Sequence, residues 1–129
     1  MNWKAVLRIR PRPVQSVKFG GGHGFHPPKV TAYKAQLRGL VAKYGPPEPL
    51  RGPLRLEATF VLPVLKRDKG RLWWWHDTKP DLTNLVKPLE DALQGTVVTN
   101  DSQIVAHGVK KIREPGEGEI RVEVTELIE

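Results

Sequence analysis

The sequence predicts an α+β fold: one mixed β-sheet of about four strands with two α-helices packed on it, in a single domain spanning residues 1–129. Three observations carry this. Short stretches with period-two alternation of apolar and polar residues occur near both ends and in the middle of the chain. Two stretches of helical periodicity lie between them. The order strand, helix, strand, helix, strand, strand suits a layer of helices on one sheet.

In chain order, Trp3, Ala5, Leu7 and Ile9 alternate with Lys4, Val6, Arg8 and Arg10, a strand with one buried face that Pro11 and Pro13 end. The segment Val14 to Pro28 contains Gly20-Gly21-Gly22 and Gly24 with Lys18 and His23, and Lys29 lies just beyond. It reads as a flexible basic loop, either touching DNA or plain, because it holds neither GxxxxGK[ST] nor GxGxxG. Over Thr31 to Tyr44, Tyr33, Leu37, Leu40, Val41 and Tyr44 recur at helical spacing and predict a first helix. A proline-stiffened connector, Gly45 to Pro53, follows. Leu54, Leu56, Ala58, Phe60 and Leu62 alternate with Arg55, Glu57, Thr59 and Val61, which predicts the central strand.

Lys66, Arg67, Lys69 and Arg71 then lead into Trp73-Trp74-Trp75. Cations beside aromatics suit phosphate contact with base stacking. Neighbouring side chains of an extended segment point in opposite directions, so packing on the core or on a partner subunit is the competing use.

Leu85, Leu89, Ala92 and Leu93 form one face of a second helix that Gly95 stops. Pro88 lacks a donor, so this helix starts close to Pro88, or starts near Asn84 and kinks. Asn84, Lys87 and Asp91 fall at i, i+3 and i+7 on its polar stripe, placing an amide, a cation and a carboxylate together. Asn100-Asp101-Ser102 reads as a turn, Gln103 to Arg113 as a strand, and Ile120, Val122 and Val124 as a last strand that closes a hairpin with it through Pro115-Gly116-Glu117-Gly118. A tight reversal at the Asn100 turn returns Asp101 toward the start of the helix, beside Asp81. Two hard carboxylates there suit Mg²⁺, with Lys87 facing the same phosphate.

The chain has 21 Lys and Arg against 14 Asp and Glu, a formal charge of +7, which favours a polyanionic partner such as nucleic acid. It has no cysteine, which excludes disulfides and Cys-ligated zinc. Its four histidines, His23, His26, His76 and His107, show no metal-ligand spacing and read as surface or structural. No apolar run approaches the roughly 20 residues of a membrane helix, and no signal-peptide core opens the chain, so a cytoplasmic location without membrane contact is expected.

The string Pro80-Asp81, Asn84-Leu85, Lys87, Asp91-Ala92-Leu93, Gly95, Asp101, Gln103-Ile104 resembles the signature of the RusA family of Holliday-junction resolvases. The resemblance implies a homodimeric, Mg²⁺-dependent endonuclease, with Mn²⁺ a possible substitute, that nicks four-way DNA junctions symmetrically. It implies that Asp81 and Asp101 bind metal and that Lys87 is essential. Asn84 and Asp91 rank behind them. Where the family commonly has a second aspartate, this chain has Thr83, a neutral and weaker ligand. Lys18, Lys29, Lys66, Arg67, Lys69, Arg71, Lys79, Lys110 and Lys111 are the candidate DNA contacts. Two other readings compete: a junction-binding protein that has lost cleavage, motivated by Thr83, and a protein-interaction module built on the tryptophans.

Overall fold

A computed structural model describes residues 1–14, 18–20, 23–25, 28–68, 70 and 74–127, with the backbone alone at 18–20 and 23–25. Among the described residues, seven strands and two α-helices follow in the order β1 (Asn2–Leu7), β2 (Lys18–Gly20), β3 (His23–Phe25), α1 (Pro28–Tyr44), β4 (Leu54–Pro63), β5 (Trp74–Trp75), α2 (Leu82–Leu93), β6 (Ile104–Glu114) and β7 (Glu119–Glu126). The α+β class stands, with a mixed sheet of five strands rather than about four, in the order β1-β7-β4-β6-β5. The extra strand is β5, two tryptophans too short to show any alternation in sequence. A separate pair, β2 with β3, occupies part of the stretch expected to be a loop.

Strand β4 is central, as its composition predicts. Leu54, Leu56, Ala58, Phe60 and Leu62 are buried under the helices, and Val61 is buried on the opposite face. It runs parallel to β6 and antiparallel to β7. The expected β6–β7 hairpin therefore does not form: the two strands flank β4, and the Pro115–Gly118 link crosses over its end. Local turn chemistry is the same whether the next strand pairs at once or one strand further on, and the strand spacing of about 4.8 Å makes the longer step short enough for this link. Gly118 fits the crossing because its φ is +93°, and a Cβ there would meet the Val61 carbonyl oxygen at 3.0 Å. Gly118→Ala is expected to cost about 1–3 kcal/mol and lower Tm by several degrees, read by thermal melting.

Helix α1 starts three residues earlier than its periodicity indicates and buries Tyr33, Leu37 and Val41, whereas Tyr44 is exposed. The Trp3 indole N–H donates to the Tyr44 carbonyl at 2.8 Å, tying the helix end to β1. Helix α2 begins at Leu82, before either expected start, and carries Pro88 in its interior. Proline at 88 has no N–H for the carbonyl of Asn84, four residues back. That carbonyl instead accepts the Val14 N–H at 2.9 Å. The strap leaving β1, Arg10 to Pro13, is thus pinned to α2 by a bond that the proline makes available.

Candidate functional site

Asp81 is the N-cap residue of α2 and is exposed, but its side chain makes no capping hydrogen bond. An aspartate here ordinarily accepts from the first turn, so both oxygens remain available to a ligand. The approach to Asp81 is held by β6. The Lys111 ammonium donates to the carbonyls of Thr78 and Pro80, each at 2.6 Å, across the cis Lys79–Pro80 peptide. Lys111, expected to touch DNA, is thereby committed to the backbone beside Asp81.

A second anchor sits one step further along β6. His76 is 4% exposed. Its Nδ1 accepts from Arg113 Nε at 3.0 Å, so Nε2 carries the proton and donates to the Lys79 carbonyl at 2.6 Å. The Arg113 guanidinium also donates to the Pro63 carbonyl. Burial, partly opposed by the bond to the Lys79 carbonyl, and the nearby Arg113 charge hold the imidazole pKa below its ordinary value. The folded protein keeps His76 neutral, so the unfolded chain binds the extra proton more readily. Its contribution to stability is present above about pH 6.5 and is lost as pH falls below that. Urea titrations at pH 7.5 and pH 5.5 should show the loss in the wild type and a smaller one in His76→Gln.

Three of the expected residues are linked by direct contacts. On α2, Lys87 Nζ lies 3.4 Å from Asp91 Oδ1 and 3.9 Å from Asp101 Oδ2. Asp91, by charge and by hydrogen bond, and then Asp101 raise the Lys87 pKa, so the ammonium stays charged. Asp101 is presented by a 3₁₀ turn in which Asn100 Oδ1 accepts the Ser102 N–H at 2.9 Å, while Gln103 Oε1 accepts from Thr99 and Asn100 at 2.9 and 3.0 Å. Gln103 Nε2 donates on to the Gly52 carbonyl at 3.1 Å. Glu90 extends this acidic face and pairs with His107 at 3.4 Å.

Asp81 stands at the start of the same helix. Six residues at about 1.5 Å rise place it roughly 9 Å before Lys87 along the helix, and it opens on a cleft of about 500 Å³ lined by Arg10, Arg12, Leu62, Lys79 and Asn84 among others. The structure brings Asp101 to Lys87, which also pairs with Asp91. The turn that carries Asp101 closes on itself through Asn100 and Gln103. Thr83 is exposed in the first turn of α2. Among the described residues no three His, Cys, Asp or Glu side chains converge as a ready metal cage. The oxygen donors have the right chemistry for a hard divalent ion.

The other candidates scatter. Lys79 faces the cleft. Lys29 is exposed in the first turn of α1. Lys66 and Arg67 are exposed in a 3₁₀ turn, where Arg67 pairs with Asp68 at 3.7 Å. Lys110 lies on the open face of the sheet beside Glu57 and Arg121, away from α2. The Lys18 side chain, Lys69, Arg71 and Trp73 lie outside the described residues, as do His26 and the His23 side chain. Trp74 is half-buried against β6 and Trp75 is 60% exposed, the opposite orientations that an extended segment imposes. Arg10 and Arg12, which reading the stretch as a strand end passes over, line the same cleft as Asp81.

A basic α+β domain that presents an uncapped carboxylate beside a cationic cleft, and a lysine between two further carboxylates, defines a class suited to phosphodiester backbones. Comparison gives the family: residues 7–125 match the model described as endodeoxyribonuclease RusA, and the chain belongs to that family. It is 37% identical over 76 residues to a crossover junction endodeoxyribonuclease RusA of Lactococcus phage r1t, covering 58% of this chain and 56% of that protein. It is also 30% identical over 111 residues to the uncharacterized protein YqaN of Bacillus subtilis strain 168, covering 78% and 77% of the two chains. The match thus spans little more than half the length of the phage relative.

Proposed function

We propose that this protein is a structure-specific endodeoxyribonuclease that resolves four-way DNA junctions by paired symmetrical nicks in recombination and repair. Family membership is the observation that carries the reading, and the residues it calls on, Asp81, Lys87 and Asp101, are open to solvent on or beside α2. The reading includes a divalent ion, Mg²⁺ with Mn²⁺ as substitute, held through Asp81 and Asp101. Such an ion, when bound, supplies charge neutralisation and an activated water. The remaining roles fall to the chain's own side chains. Lys87 offers positive charge to the non-bridging phosphate oxygens, where negative charge accumulates. Lys111 and His76 fix the carbonyls before Asp81 and so orient it.

Two equivalent nicks in opposed strands need two sites related by a two-fold axis, so the active form is proposed to be a homodimer, acting in the cytoplasm on branched DNA. No helix among the described residues is long and apolar enough to cross a membrane. The test is cleavage of a labelled four-way junction against a linear duplex of the same sequence, with and without Mg²⁺. Paired nicks in the junction alone support the reading; neither binding nor nicking overturns it. Thr83, a neutral and weaker ligand than aspartate, favours a second reading, a junction-binding protein without cleavage, which the same gel would reveal as binding with no product.

A further inference from the structure

The cleft beside Asp81 holds two cations that the expected machinery leaves unused. Arg10 and Arg12 come from the strap after β1, Lys79 from the segment before α2, and with Asp81 they give the lining a net charge of +2. Among the described residues, neither Arg10 nor Lys79 has a carboxylate within ion-pair distance. Unspent charge of this kind raises the local concentration of an anion.

The strap is held rather than loose. Pro11 and Pro13 fix its backbone, Pro11 is buried, and Val14 is bonded to the Asn84 carbonyl that Pro88 leaves without a helical donor. Across the cleft, the Lys111 clamp on Thr78 and Pro80 fixes the other wall. Both walls are thus positioned before any ligand arrives, which lowers the cost of ordering on binding. A volume of about 500 Å³ is that of a small-ligand site and takes one nucleotide of a strand, not a duplex.

Resting on the nuclease reading, we propose that this cleft is a phosphate subsite, in which Arg10 and Arg12 grip the phosphodiester next to the one presented to Asp81. Arginine suits the role because its planar fork donates to two phosphate oxygens at once. The subsite sets where along the strand Asp81 stands.

The test measures binding of a fluorescein-labelled four-way junction by anisotropy across a NaCl series without divalent metal, for three proteins. These are the wild type, the double variant Arg10→Gln/Arg12→Gln, and a control, Lys4→Gln/Arg55→Gln, that loses the same charge from the open face of the sheet. Each phosphate contact contributes about 0.9 to the slope of log affinity against log salt. The Arg10/Arg12 variant is expected to lose about 1–2 from that slope and to bind roughly tenfold or more weakly at low salt, with an unchanged melting temperature, since both side chains are exposed. The control should keep most of the wild-type slope. A double variant with the wild-type slope, or a control that falls equally far, overturns the subsite. A wild type that does not bind the junction overturns the nuclease reading instead.

Discussion

Replacing Asp101 by asparagine is expected to lower junction cleavage by about 10²–10³-fold and leave junction binding close to wild type. The substitution keeps volume and shape and removes only the charge. The turn that carries residue 101 is held by Asn100 and Gln103, whose bonds do not involve the Asp101 side chain. Lost activity would therefore not be lost structure. Asp81→Asn should behave the same way for an independent reason: asparagine is as good a helix N-cap as aspartate, and the Asp81 side chain makes no cap bond to lose. A variant that still cuts at the wild-type rate removes that carboxylate from the machinery. Asp91→Asn separates the two possible pairings. If it is as inactive as Asp101→Asn while Asp81→Asn cuts well, the working carboxylates are the two that flank Lys87. The opposite ranking means that Asp81 and Asp101 are the working pair.

The succession of the main elements was legible because each has a period that survives without tertiary context. The alternation in Leu54–Leu62 and the stripe of Leu85, Leu89 and Leu93 both ended in the core. What was not legible depended on neighbours distant in sequence. Pro115-Gly116-Glu117-Gly118 announces a reversal, but nothing local says that β4 will occupy the space between the strands it joins. Pro88 signalled a disturbed helix. Its consequence, an Asn84 carbonyl free for Val14, could have been deduced, though the identity of the donor could not. In the site, residue types were readable from the motif, whereas convergence was not. Asp81 and Asp101 are 20 positions apart, and the turn at residues 100–103 decides which residues of α2 Asp101 meets, Lys87 among them. His76 reads in sequence as surface or structural and Arg113 only as the end of a strand; the two form a buried pair, because β6 turns His107, Val109, Lys111 and Arg113 to the helix side.

Lys87 sits where two roles conflict, and substituting it separates them. Its ammonium lies within 4 Å of both Asp91 and Asp101, so it is an internal cation placed where the family reading needs Asp101 for a divalent ion. Like charges competing for one carboxylate disfavour each other. Lys87→Met keeps the length of the side chain and removes the charge. Cleavage is expected to fall by about 10²–10³-fold, as for loss of a group that stabilises developing charge. Binding of Mn²⁺ to the DNA-free protein, followed by calorimetry, is expected to tighten several-fold, because Asp91 and Asp101 no longer share their field with an ammonium. Stability should change little, since the Lys87 side chain is 62% exposed and exposed ion pairs contribute little. Lys87→Arg should leave Mn²⁺ affinity near wild type, because the charge is retained, and should recover only part of the cleavage, because the guanidinium presents that charge in a different geometry. Tighter metal binding with lost cleavage would mean that Lys87 leaves Asp101 for the phosphate when the ion arrives. Unchanged metal binding in Lys87→Met would mean that the ion and the ammonium occupy separate places, with Lys87 acting on the DNA alone.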